Sequence, residues 1–369
     1  MSDFKMPPSL SVCGSEDAAE RLLSEIWGKR GVFTCTVANT LTSTIPGISD
    51  AGDTPDLTLF TPAADAELLV LGRTVCMKGI PINPGGIPTP ATLTKAGLEL
   101  ADMPCVIVNG GCRVNPNVPY MEMGGECGRS ILTGDSVSRA AETFESGVVL
   151  GRTLARHEDY VVVSESCAGG TTTALAVMMA MGVARENLVS SSSPNNPREL
   201  KTNTVMAGLK AAGIGIGDLA DDPLRAISCV GDPMMPVNAG IIVGASESVP
   251  VIVGGGTQMA AVMAAAAKLR PSCIGRIFQG TTRWLVDDPN SSISRLVSAI
   301  SEDIPIVYAN MDYSSSPYEG LQAYEWGYIK EGVGCGGAAI SAIARSEGGI
   351  TCGDLLDRVH EIYRGIIGQ

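Results

Sequence analysis

Residues 160–181 read YVVVSESCAGGTTTALAVMMAM: an apolar run from Val161 to Val163, then Ser164 and Glu165, the pair Gly169 and Gly170, three threonines and an alanine- and methionine-rich tail. An apolar run closed by glycines and followed by small, helix-compatible residues spells strand, tight loop and helix N-terminus. Such a turn can hold an anion. The first N–H groups of a helix lack intrahelical acceptors, glycines let a ligand approach the backbone, and threonine hydroxyls at 171 and 172 add donors. Phosphate is the natural guest. The loop has neither the GxxxxGK(S/T) order of an NTP-binding loop nor the GxGxxG spacing of a dinucleotide fold, which disfavours both classes. A plain strand-to-helix turn would use the same letters.

Outward from this turn, short apolar runs alternate with helical patterns. CVIVN (105–109), YVVVS (160–164), AISCVG (226–231), PVIVG (250–254), IGRIFQ (274–279) and PIVYA (305–309) read as strands. GVFTCTVA (31–38) reads as another, and Leu57–Phe60 and Glu67–Leu71 as short strands or strand-ends around a turn and helix start at Pro62 and Asp65, a region without evident chemistry. Helices are expected after Ser15, over Ala91–Leu100, over Ser136–Ala155 with Ser136 or Ser138 as N-cap, over Arg198–Ala212 and over Asn238–Ser246. This alternation predicts an α/β, Rossmann-like, mainly parallel sheet with helices on both faces, whose ligands gather at the strand C-termini. We expect residues 86–310 to form the nucleotide-binding core, and 1–85 with 311–369 to form a smaller domain and site-closing segments. The proline-rich loop IPINPGGIPTP (80–90) is stiff enough to serve as a pocket wall.

With 369 residues and 45% hydrophobic content, the chain can bury a large core, and a net charge of -13 without a Lys/Arg run argues against nucleic acid as a partner. No stretch reads as a signal peptide or membrane span, so a cytoplasmic protein without membrane contact is expected. The 11 cysteines form no CxxC pair, and neither His157 nor His360 sits in a ligand-spaced cluster. No metal and no cofactor are expected, and the cysteines read as reduced thiols. Cys167 and Cys335 fall in glycine-rich turns without a nearby histidine to activate them.

A second glycine-rich turn, IKEGVGCGGAA at 329–339, follows a segment holding Tyr313, Tyr318, Tyr324, Trp326 and Tyr328. Together the two turns resemble the nicotinate-nucleotide:dimethylbenzimidazole phosphoribosyltransferases, in their archaeal and cyanobacterial branch. SESCAGGTTT is similar to that family's GEMGIGNTT at Glu165, Gly170, Thr171 and Thr172, and KEGVGCGGA to its LGEGTGA at Glu331, Gly332 and Gly334. The helix SVSRAAETFESG and the segment GDPMMPVNAGIIVGASESVPVIVGG also resemble family patterns, in the same order. The family's LxKPxGSLG segment has at best a counterpart in GGIPTPATLTKAG, residues 85–97, which leaves the acceptor base open among dimethylbenzimidazole, another benzimidazole and adenine.

The resemblance implies transfer of the 5-phosphoribosyl group from nicotinate mononucleotide to a benzimidazole-type base, giving an α-ribotide for the lower ligand of a corrinoid. It implies Glu331 as the base that removes the acceptor proton, in a surrounding that raises its pKa. Glu165 is implied at the ribose or at the charge developing on C1′. Gly169, Gly170, Thr171, Thr172 and Lys201 would hold the 5′-phosphate, with Gly332 and Gly334 shaping the second turn, and a homodimer is implied. SESCAGG also resembles the AESCTGG loop of nicotinamide-nucleotide amidohydrolases, a short match that leaves the Glu331 turn unexplained. A non-catalytic nucleotide-binding protein is the other alternative.

Overall fold

The computed structural model describes residues 4–52, 54–83 and 86–367. Gly85, which opens the segment compared with LxKPxGSLG, lies outside them. Eight strands form one sheet: β1 (Leu10–Cys13), β2 (Gly31–Ala38), β3 (Cys105–Gly111), β4 (Met121–Glu122), β5 (Tyr160–Ser166), β6 (Val251–Gly254), β7 (Ile277–Thr282) and β8 (Ile306–Ala309). Their spatial order is β1-β8-β7-β6-β5-β2-β3-β4. Every neighbouring pair is parallel except β1 with β8. The order runs outward from β2 to β4, returns to place β5 on the other side of β2, and continues to β8. The reversal between β2 and β5 opens a crevice at their C-terminal ends. Glu165 and Ser166 close β5 there.

The principal helices are α1 (Glu16–Ile26), α2 (Thr61–Leu71), α3 (Ala91–Ala101), α4 (Ala140–Leu154), α5 (Gly170–Ala180), α6 (Arg198–Ala211), α7 (Pro223–Val230), α8 (Met234–Ser246), α9 (Thr257–Leu269), α10 (Ile293–Ile300), α11 (Cys335–Arg345) and α12 (Cys352–Ile367). Successive strand side chains point to opposite faces, so each strand feeds two cores. Val161, Val163, Val251 and Val253 pack with α4 to α10, whereas Val162, Ile252, Phe33 and Val307 pack with α1, α2, α3, α11 and α12. Both faces of the sheet are thus covered by apolar helices. This accounts for its near-continuous apolar strands. Within the first layer α4 and α8 meet through glycines: a Cβ on Gly240 would lie 2.1 Å from the Phe144 carbonyl oxygen.

The sheet crosses the boundary drawn at residue 86, because β2 pairs with both β3 and β5. The N- and C-terminal segments supply much of the second helical layer as well as β1. Several local expectations are corrected. Residues 57–59 form a short 3-10 turn and 61–71 form α2, so neither flank is a strand, whereas the helix start read at Pro62 and Asp65 is present: Pro62 occupies the first turn of α2 and Gly72 ends it at φ 72°. The helix is buried nearly all round, which erased the amphipathic signal. AISCVG belongs to α7, started by Pro223 with the Asp222 carboxylate accepting from Arg225 N–H at 3.2 Å. Helix α4 begins at Ala140 rather than at Ser136 or Ser138. The IGRIFQ strand starts late, at Ile277, after a 3-10 turn at Pro271–Arg276. The edge strand β1 and the two-residue β4 had no reading in the sequence.

Candidate active site

At the C-terminal end of the sheet, the β5–α5 turn, the Ser190–Ser192 loop, the start of α9, the face of α2 and the 329–333 turn line one cleft. The β5–α5 turn is possible because Gly169 adopts φ 78° and lies close to Ser43, where a Cβ would come within 2.9 Å of the Ser43 Cα. Gly169, Gly170 and Thr171 then present the N-terminus of α5 to the cleft. The second turn is pinned by Gly334, at φ 62° and so near β5 that a Cβ would sit 2.4 Å from the Ser164 Cβ. That contact places Glu331 over the same cleft.

Glu331 is held from four directions. Its Oε1 accepts from the Gly332 N–H at 3.1 Å, the Gly336 N–H at 3.3 Å and the Cys335 thiol at 3.1 Å, and its Oε2 accepts from Thr281 Oγ1 at 3.0 Å. Burial pushes its carboxyl above the usual range, more strongly than these donors pull it down. Glu165 Oε2 accepts from Gln258 Nε2 at 3.0 Å. Burial first, then the charge of Asp232, pushes Glu165 up to about 8. Asp232 lies behind it, bonded by Thr173 Oγ1 at 2.6 Å, and is itself pushed up to about 6 by burial.

Two lysines are buried beside the cleft. The Lys201 ammonium donates to Thr171 Oγ1 at 3.0 Å and to the Ser190 carbonyl at 2.7 Å. Burial, followed by repulsion from Lys330, lowers Lys201 to about 7. Lys330 donates to the Gly327 carbonyl at 2.7 Å and lies 3.7 Å from Asp288, whose carboxylate also takes the Ser190 hydroxyl at 2.8 Å. The cleft thus brings the carboxylates of Glu165, Glu331 and Asp65 together with Lys330 and the N-terminus of α5.

Of the residues singled out in the sequence, Glu165, Gly169, Gly170, Thr171, Glu331 and Gly332 line the cleft together. Lys201 reaches it from behind, through Thr171 and Ser190. Thr172 and Gly334 are not in the lining. The Thr172 hydroxyl is buried without a partner among the described residues. Cys167 lines the cleft. The aromatic side chains that precede this turn are not in the lining: Tyr313 and Tyr324 cluster with Trp284, so burial rather than an aromatic lining sets the Glu331 environment. The proline-rich loop does form a wall, through Pro81, Thr89 and Pro90. Sequence reasoning missed Asp65, Gln258, Asp288 and Lys330. Lys330 had a signal, since it immediately precedes Glu331, whereas Asp65 lay at a turn and helix start with no chemistry evident around it. Among the described residues, no group of three or more His, Cys, Asp and Glu side chains could hold a metal ion, and no helix is long and apolar enough to cross a membrane.

A family model described as Phosphoribosyltransferase (DBI_PRT) matches residues 100–282. The chain is 40% identical over 360 residues to the UPF0284 protein of Methanopyrus kandleri, covering 96% of this chain and 93% of that one. It is 41% identical over 349 residues to a UPF0284 protein of Methanothermobacter thermautotrophicus, covering 94% and 96%. Among solved structures, nicotinate-nucleotide-dimethylbenzimidazole phosphoribosyltransferase from Thermus thermophilus superposes with a TM-score of 0.55 at 17% identity, over 90% of this chain and 88% of that one. A structure of CobT from Thermus thermophilus superposes with a TM-score of 0.57 at 16% identity, over 90% and 89%. These structures share its fold, the expected mainly parallel α/β sheet wrapped by helices. The chain belongs to the UPF0284 family, and its residues 100–282 match the phosphoribosyltransferase family model.

Proposed function

We propose that this protein transfers the 5-phosphoribosyl group of nicotinate mononucleotide to a ring nitrogen of a benzimidazole-type base. The observation that carries the reading is that Glu331, Glu165, Lys330 and the N-terminus of α5 open on one cleft, with Lys201 bonded to Thr171 behind it. A phosphate dianion suits the Gly169, Gly170 and Thr171 turn backed by Lys201, with Lys330 as a second cation. The ribose and pyridinium then extend toward the carboxylates.

The C1′–N bond breaks with its electron pair returning to the pyridinium nitrogen, so nicotinate leaves with a neutral ring and needs no acid. The acceptor nitrogen's lone pair forms the new bond to C1′ from the opposite face, giving the α-ribotide. The acceptor's other ring nitrogen then carries an N–H made acidic by positive charge, and Glu331 takes that proton. A carboxylate with a raised pKa is better matched to this task at neutral pH than an ordinary one. Glu165 faces the positive charge that develops at C1′. Its ionised form, disfavoured by burial, is favoured once a cationic centre arrives. Removing the acceptor proton inside a buried cleft also excludes water, the competing nucleophile.

The test is a product assay. Purified protein is incubated with nicotinate mononucleotide and, separately, each of a panel of benzimidazoles and adenine, and released nicotinate and new ribotide are followed by mass spectrometry. Ribotide formation supports the reading. Nicotinate without ribotide from any base, or deamidation of nicotinamide mononucleotide, would replace it with hydrolysis, and tight nucleotide binding without turnover would replace it with a binding protein.

A further inference from the structure

We infer that Glu331 works through one oxygen: Oε1 is tied into the start of α11, Oε2 receives the acceptor's proton, and Thr281 and Cys335 are the positioning residues that set how strongly the carboxylate draws that proton. The inference rests on the transferase reading above, with Glu331 as its base, and assigns the residues that act through that base.

The two oxygens are held unequally. Oε1 takes three donors: the Gly332 N–H at 3.1 Å, the Gly336 N–H at 3.3 Å and the Cys335 thiol at 3.1 Å. A carboxylate oxygen offers about two acceptor positions, so Oε1 has none left. Gly336 belongs to the first turn of α11, and Oε1 thereby satisfies one of the N–H groups that a helix start leaves unpaired. Among the described residues Oε2 takes a single donor, Thr281 Oγ1 at 3.0 Å, and keeps one position open. Glu331 lines the cleft, whereas Thr281, Cys335 and Gly336 do not, so their donors reach the carboxylate from behind the wall. The oxygen left to meet an acceptor's N–H is Oε2.

The junction that carries these donors is closely packed. Thr281 is fully buried near the end of β7, and Gly336 lies so near it that a Cβ would come within 2.2 Å of the Thr281 carbonyl carbon. Cys335 is equally buried, and burial, reinforced by the charge of Glu331, pushes its pKa far up, so it stays a thiol and a donor across the working pH range. Both side chains donate to the ionised carboxylate and so favour it, against the burial that raises Glu331. Other titratable groups face this carboxylate: Glu165 from β5 and Tyr324 from the 3-10 turn Ala323–Trp326 sense its charge, and Asp65 of α2 shares the cleft lining. Lys330, its neighbour in the chain, reaches instead to the Gly327 carbonyl and Asp288. In the step itself the acceptor's N–H bond breaks, its electron pair stays on the ring nitrogen, and the proton goes to Oε2.

The experiment measures single-turnover rates of ribotide formation against pH, with saturating nicotinate mononucleotide and whichever of the benzimidazoles or adenine the wild type uses fastest, so that proton removal and not product release is read. In the wild type the rate rises with pH through the Glu331 midpoint, and Glu331→Gln lacks the rise. In Thr281→Val and in Cys335→Ala, each stripped of one donor, the midpoint moves up by about 0.5–1 pH unit, which lowers the rate on the rising limb about 3–10-fold. Thr281→Ser keeps the hydroxyl and brings the midpoint back to within about 0.3 pH unit of wild type. A uniform loss at every pH with an unmoved midpoint, the mark of a merely structural role, would overturn the inference for the residue concerned and leave the transferase reading standing. A rising limb that survives in Glu331→Gln, or no ribotide with any base, would overturn both the inference and the base it rests on. The two donors sit on different elements, so Cys335→Ala decides where Thr281→Val fails to fold, and the reverse.

Discussion

Glu331→Gln isolates proton removal from every other function of the cleft. Glutamine has nearly the shape of glutamate, and its side-chain oxygen can still accept from the Gly332 and Gly336 N–H groups that now hold Oε1 at 3.1 and 3.3 Å. Its amide can donate to Thr281 Oγ1, since that hydroxyl can reverse its role. The turn therefore keeps its place, and what disappears is the base. A positioned general base contributes about 10²–10⁴-fold, or about 2.7–5.4 kcal/mol at 1.36 kcal/mol per decade. We predict a loss of kcat in that range, with affinity for nicotinate mononucleotide, measured by calorimetry, within about threefold of wild type. The pH dependence supplies a second readout. Glu331 must be ionised to accept a proton and its pKa is raised, so the wild-type rate climbs with pH through a value above the ordinary carboxylate range, and the variant's rate shows no such limb. A Glu331→Gln protein with kcat within about threefold of wild type would refute the assignment of the base.

Lys201→Met should raise KM for the nucleotide about 10–100-fold, because it removes the charged donor that orients the Thr171 hydroxyl and the Ser190 carbonyl behind the phosphate turn. The stabilisation of the melting temperature by inorganic phosphate should shrink with it, and an unchanged KM would move the phosphate elsewhere. Burial raises Glu165 to about 8 in the folded protein, from about 4.5 when unfolded. The folded state therefore holds this proton more tightly, so this group's contribution to stability is greatest below about pH 4.5 and declines as pH rises through about 8. Glu165→Gln should become progressively more stable relative to wild type over that window in urea titrations, and a pH-independent difference would count against the burial argument. Gly240→Ala forces a Cβ to within 2.1 Å of the Phe144 carbonyl oxygen and 2.8 Å of the Val148 nitrogen, both backbone atoms of α4. Overpacking of this kind costs about 1–3 kcal/mol, read as a lower urea midpoint at unchanged m-value.

The layers and the anion turn were legible because they depend on local pattern. The YVVV run that opens β5 is apolar on both faces because both faces are covered, and Gly169 stands where the backbone needs a positive φ. The pairing of the two glycine turns was legible only through family resemblance, since Glu165 and Glu331 lie far apart in the chain and nothing local links them. What escaped was decided by tertiary packing. Helix α2 is buried along nearly its whole length and has no amphipathic stripe, so its Asp65 looked like a turn residue instead of a cleft carboxylate. Helix α7 was misread because AISCVG is rich in strand formers, although Asp222 and Pro223 announce a helix start just before it. Thr172 follows Thr171 in the motif but faces inward, because adjacent residues on a helix turn by about 100°.

The most direct measurement follows the ribose carbons themselves. Nicotinate mononucleotide carrying uniformly ¹³C-labelled ribose is incubated with the protein and an acceptor base, and products are separated and weighed. Transfer predicts a new ribotide that carries the complete labelled phosphoribosyl group, formed one for one with nicotinate, and its absence in Glu331→Gln. Labelled free ribose 5-phosphate as the only product, or labelled nucleotide recovered intact with every base, would contradict the account.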